Sequence, residues 1–60
     1  MNELLKYFEY SHLPGNLQVI SQSFHSLAYY LDSQLPEGVE KDVALRKLLE
    51  SKDCAVRAAL

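Results

Sequence analysis

Sixty residues with a net charge of −2, a single cysteine and 48% hydrophobic side chains are enough for one small domain. One thiol permits no disulfide within the chain, a slightly acidic balance disfavours a protein that coats nucleic acid, and no apolar run approaches the roughly 20 residues of a membrane span. The first eight residues mix acid and base and are too short for a signal-peptide core, so a soluble, intracellular protein is expected.

Ordering a chain costs about 1.5 kcal/mol per residue, which leaves a lone hairpin of this size near zero net stability. The two histidines and the thiol are too widely spaced to suggest a metal cluster. Association with further copies is therefore the expected source of extra burial. Charge is unevenly spread: residues 1–40 hold one base, Lys6, against five acids, whereas residues 41–60 hold five bases (Lys41, Arg46, Lys47, Lys52, Arg57) against three acids. Cationic potential concentrated on one helix suits a compact anion better than a long duplex, although a solvated helix face has the same composition.

At the start of the chain, Phe8, Tyr10 and His12 alternate. In an extended segment that spacing puts all three on one side, a wall on which nucleobases stack for about 1 to 3 kcal/mol each. Phe8 has a second reading, as the residue that closes the core with Leu4 and Leu5. Pro14 fits the first turn of a helix, where its missing N–H costs nothing. Leu17, Ile20, Phe24, Leu27 and Leu31 follow at alternating intervals of three and four, a seam for a partner helix.

Between Tyr10 and Leu31 there is no Asp, Glu, Lys or Arg. An exposed helix in a small monomer normally places charges outward, so this uncharged polar surface points to a subunit interface; a plain solvent-facing surface is the alternative. His25 lies on the Gln18/Gln22/Tyr29 line and reads as a polar interface residue. Pro36 disfavours helical geometry in the residue before it and Gly38 marks a turn, so the first helix stops near Ser33 or Gln34.

From Val39 a second helix carries two adjacent stripes, Ala44/Leu48/Ala55/Ala59 and Leu45/Leu49/Val56/Leu60, wider than one neighbouring helix covers. Arg46, Glu50, Asp53 and Arg57 line another face over about 16 Å, with two i,i+4 ion pairs available. Lys52 lies on the apolar line, its stem along the seam and its ammonium at the edge. Cys54 reads as a small packing residue. The expected fold is all-α: an antiparallel two-helix hairpin with a short N-terminal segment, assembled into a homo-oligomer. Its parts are 1–13 (aromatic segment), 14–34 (first helix) and 38–60 (second helix), the helices themselves falling near 14–33 and 39–58.

The chain also resembles a known family at Pro36, Glu40, Ala44-Leu45, Lys47-Leu48 and the closing Lys52-Asp53…Val56-Arg57-Ala58, and again at Phe8-Glu9-Tyr10-Ser11-His12-Leu13-Pro14. The family is the phage-encoded helical hairpins that sequester nucleotide messengers of bacterial immunity, the anti-CBASS and anti-Thoeris sponges. The resemblance implies a homohexamer in the host bacterial cytoplasm that binds a cyclic di- or trinucleotide, or a cyclic ADP-ribose-type messenger, without cleaving it. It implies ligand contacts at Tyr10, Lys52 and Arg57, with His12 and Phe8 in the same aromatic segment. Guanidinium at Arg57 can grip a phosphate bidentately. Some members carry a basic residue near the positions of Ser21-Gln22-Ser23, and the departure here puts a phosphate contact and the choice of ligand in question. No cofactor, metal, DNA or membrane partner is implied.

No nucleophile with its base, metal centre or carboxylate pair points to an enzyme. A rival reading from another class is a helical module that captures a host protein with the same apolar surface. A DNA-binding repressor is the weakest reading, since it needs a recognition helix rich in exposed base.

Overall fold

The structure, a computed structural model, describes residues 2–60: a six-residue 3-10 helix (Glu3–Phe8) followed by two 20-residue helices, α1 (Gly15–Gln34) and α2 (Val39–Ala58). Both long helices fall within a residue or two of the expected ranges. Pro14 stands just outside α1 rather than in its first turn; its φ of −58° suits a helix but its ψ of 156° is extended, and its carbonyl accepts from the N–H groups of Leu17 and Gln18 at 2.9 Å. At the far end Leu35 donates back to Leu31 O at 2.9 Å before Pro36 ends the helical run.

The 3-10 helix replaces the extended aromatic wall expected here, and the cause is local. The Asn2 side chain accepts from Leu4 N–H at 2.9 Å and caps the first turn. At three residues per turn, Leu5 and Phe8 then eclipse one another, and both are buried. Phe8 therefore takes the core role, not a place beside Tyr10 and His12. The chain is extended at Glu9 and turns through Ser11 and His12, where Leu13 N–H donates to Tyr10 O at 3.0 Å.

Leu5, Phe8, Ala28 and Leu45 form the buried centre, with Leu4, Phe24, Tyr29, Leu31, Leu48 and Leu49 packed around it. The expected seam on α1 holds at Leu17, which is buried, and at Phe24 and Leu31, which pack against the core, but not at Leu27. Ser21 and Ala28 are fully buried, whereas Leu27 is 45% exposed. Of the two stripes on α2, Leu45 is buried, most members are half-buried, and Leu60 is exposed. The outer side of α1 presents Val19 (70% exposed), Leu27 and Tyr30 (61%).

The hairpin's loop end is fastened by charge. Lys41 is only 4% exposed; its Nζ bonds Asp32 Oδ1 and the Asp32 carbonyl, each at 2.9 Å, and also the Glu37 carboxylate. Asn2 joins the same knot, donating from its backbone to Asp32 Oδ1 at 3.2 Å and from its side chain to Asp42 Oδ1 at 2.7 Å. The hydrogen bond from Lys41 holds the Asp32 carboxyl below the ordinary carboxylate range, against burial. Hydrogen bonds to Glu37 and then Asp32 push Lys41 above the ordinary lysine value, again against burial.

Candidate functional site

Where the N-terminal segment crosses α1, three rings gather. Tyr10 meets His25 edge-on, with centroids 5.1 Å apart and planes at 79°, and His25 lies against Tyr29 at 4.4 Å and 31°. His25 and Tyr29 adjoin because four residues separate them on one helix face. Tyr10 is held in place by its neighbours: the Gln18 side chain donates to Leu13 O at 2.7 Å and to Ser11 O at 3.1 Å, tying the turn after Tyr10 to the first turns of α1. All three rings are half-buried, so each keeps some surface for a ligand.

These rings lie in a stretch of chain without Asp, Glu, Lys or Arg, from Tyr10 to Leu31, bounded by Glu9 and Asp32. An imidazole between two tyrosines combines flat π surface with hydrogen-bond capacity. Tyr10 was expected at the site; the gathering of His25 and Tyr29 around it was not. The i,i+4 spacing of His25 and Tyr29 was the available signal, but the third ring comes from a separate segment and depends on tertiary packing.

The other expected contacts are dispersed. His12 is exposed in the turn. The Lys52 side chain is 12% exposed, and its ammonium donates to Tyr7 O at 3.0 Å, at the C-terminal end of the 3-10 helix, with Asp53 at 3.8 Å. This is the snorkelling geometry expected of it: stem along the seam, head at the edge. Arg57 is exposed and donates to Cys54 Sγ at 3.4 Å, one turn back on α2. Among the described residues, neither cation forms a hydrogen bond or cation–π contact with Tyr10 in a single chain.

A separate open cleft of about 380 Å³ lies at the loop end, lined by Asn2, Glu3, Leu4, Glu37, Asp42 and Arg46. Three carboxylates against one guanidinium give it the wrong sign for a polyanion. No group of three or more His, Cys, Asp and Glu side chains gathers among the described residues as a metal site does, and no helix among them is long and apolar enough to cross a membrane. Comparison of the chain with protein families, with curated proteins and with solved structures gives no match.

Proposed function

We propose that this protein is a sponge: it binds a cyclic nucleotide messenger of bacterial anti-phage signalling, a cyclic di- or trinucleotide or a cyclic ADP-ribose-type ligand, and holds it without cleaving it. The observation that carries the reading is the Tyr10–His25–Tyr29 cluster, a stacking surface in a stretch free of the carboxylates that would repel phosphate. The resemblance of the hairpin and aromatic motifs to the phage sponges supplies the messenger class, the host cytoplasm and the homohexamer. In this reading Tyr10 and Tyr29 stack on bases and His25 meets a phosphate. Lys52 and Arg57 of a neighbouring copy supply further positive charge, since within one chain they lie apart from the rings. The uncharged outer face of α1, with Val19, Leu27 and Tyr30 exposed, is the surface offered to that copy.

The mechanism is stoichiometric. Binding lowers free messenger below what the immune effector needs, and no bond in the ligand changes. Isothermal titration against cyclic di- and trinucleotides and cyclic ADP-ribose isomers tests it. Loss of one stacked base is worth about 1 to 3 kcal/mol, so Tyr10→Ala should weaken binding by roughly 5- to 150-fold. That loss should persist at high salt, whereas the loss on Arg57→Ala should shrink. Ligand released by heat should be intact. Full binding by both variants, or hydrolysed ligand, overturns the reading; a stable monomer that binds no nucleotide favours capture of a host protein instead.

A further inference from the structure

The solvent face of α2 carries a stripe that neither the core nor the ring cluster uses. Glu40, Val43, Lys47, Glu50, Cys54 and Arg57 follow one another at intervals of three and four, so they share one helix face, and all six are exposed. Their charges are not spent within the chain. Among the described residues none of Glu40, Lys47, Glu50 and Arg57 joins an ion pair, and the Arg57 guanidinium donates to Cys54 Sγ at 3.4 Å. The Arg46–Glu50 and Asp53–Arg57 pairs that the spacing makes available are both unformed, and Asp53 meets Lys52 instead.

Along the helix these charges run minus, plus, minus, plus. A second copy of the stripe laid parallel and in register sets each charge against its like. Laid antiparallel, about a two-fold axis midway between Leu48 and Leu49, it sets each against its opposite. Glu40 then faces Arg57 of the second copy, Lys47 faces Glu50 and Val43 faces Cys54, each pair occurring twice because the contact is isologous. These are the facing layers of an antiparallel coiled coil, and Arg46 and Asp53, which flank the stripe on one side, also meet across the two copies with opposite sign. Sliding one helix by a heptad brings Glu40 against Glu50 in one direction and Lys47 against Arg57 in the other, so charge selects the register as well as the direction. We propose that α2 pairs antiparallel with α2 of a second copy of this chain through this stripe. Exposed ion pairs add little attraction; their effect here is to select one geometry, and Val43 against Cys54 supplies the small apolar contact between them. An isologous contact joins only two copies, so a larger closed assembly needs a further face, and the uncharged side of α1 offers one. The pairing does not depend on nucleotide binding. Arg57 has five N–H donors, enough to meet a carboxylate on one edge and an anion on another.

Disulfide trapping tests this, because it captures even a weak pair. Positions 43 and 54 lie about 16 Å apart along one helix at 1.5 Å per residue, beyond the roughly 7 Å between Cα atoms that a disulfide allows. A thiol introduced at position 43 therefore reaches Cys54 only on another chain. Under oxidation by copper phenanthroline, Val43→Cys should convert to a covalent dimer closed by two disulfides. The wild type, whose two Cys54 residues stand about 16 Å apart along the paired helices, should run largely as a single chain on a non-reducing denaturing gel, as should Val43→Cys/Cys54→Ser. Adding Glu40→Arg to Val43→Cys should slow cross-linking by about threefold to tenfold, since two ion pairs become like-charge contacts. Adding Arg57→Glu to that variant should restore the rate, and melting curves show which variants are folded. Should Val43→Cys fail to fold, Glu40→Cys/Arg57→Cys in a Cys54→Ser background traps the same register from exposed positions. Absence of a covalent dimer from a folded trapping variant, or a wild type that cross-links as fast as Val43→Cys, overturns the pairing. A rate indifferent to Glu40→Arg, or a loss that Arg57→Glu does not repair, overturns the selection of register by charge. No nucleotide enters the experiment, so its outcome is separate from that of the titration.

Discussion

Lys41 and Lys52 lie three turns apart on the same inward face of α2, and their circumstances are opposite. Lys41 is buried at the loop end against two carboxylates and a backbone carbonyl, with Asn2 completing the knot. Lys52 sits where the 3-10 helix ends, against one carbonyl and a distant Asp53. The first lysine is neutralised and serves the fold. The second has a single, longer ion pair, with the half-exposed Asp53 at 3.8 Å, near the half of the molecule that holds the ring cluster. A count of bases on α2 treats the two alike; the partners that tertiary packing brings to each decide which contributes to an electrostatic field felt by a ligand.

The comparison presumes that both ends share one cooperative core. Phe8 tests this first, since it is fully buried between the N-terminal segment and the hairpin. Phe8→Ala should cost about 3 to 5 kcal/mol in chemical denaturation and loosen both ends together. Retention of the native midpoint would show that the N-terminal segment does not belong to the folding unit.

Next in size is Lys41→Met, which leaves the half-buried Asp32 carboxylate without its cation and should lower the melting temperature more than any surface change. The pH dependence sharpens this. Asp32 is held low in the folded state, so its contribution is present above the unfolded carboxylate value, roughly pH 4, and is lost as pH falls through the lower folded value. Lys41 is held high, so its contribution is present below roughly pH 10.4 and is lost as pH rises through the higher folded value. Melting temperatures should therefore form a plateau with a fall at each extreme, and both falls should be shallower in Lys41→Met.

The smallest effect belongs to Lys52→Met. Water can replace the ammonium at Tyr7 O and the methionine stem still covers the seam, so the melting temperature should move much less than in Lys41→Met. An equal loss in the two variants would remove the distinction between a structural and an available lysine.

The helices and their connection were legible because Pro14, Pro36 and Gly38 punctuate the chain and apolar residues recur at helical spacing. The facing of α1 was legible only in part. A seam read from large side chains places Leu17, Phe24 and Leu31 correctly but also puts Leu27 inward, and it leaves out the small residues Ser21 and Ala28, which are fully buried. The 3-10 helix was missed because its signals are short: one asparagine cap and an apolar pair three apart, Leu5 and Phe8. Lys41 showed only as a charge, since Asp32 lies across the loop. Tyr10 was legible as a site candidate from the resemblance, while its neighbours His25 and Tyr29 required the fold to bring a turn back over α1. The wall of Phe8, Tyr10 and His12 failed for the converse reason, a local helix overriding the alternation.

The bonds from Asn2 to Asp32 and Asp42 have a practical consequence for handling the molecule. They place residue 2 at the loop end, whereas residue 60 follows the opposite end of α2, along a body 34 Å in its longest dimension. A dye pair at these two positions would report end-to-end length directly, and a bulky group attached at residue 2 would crowd the acidic cleft rather than the C-terminal end of α2. Attachment at residue 60 would instead burden the end where Arg57 is exposed, so the choice of anchoring point sets which half of the protein remains free to meet a partner.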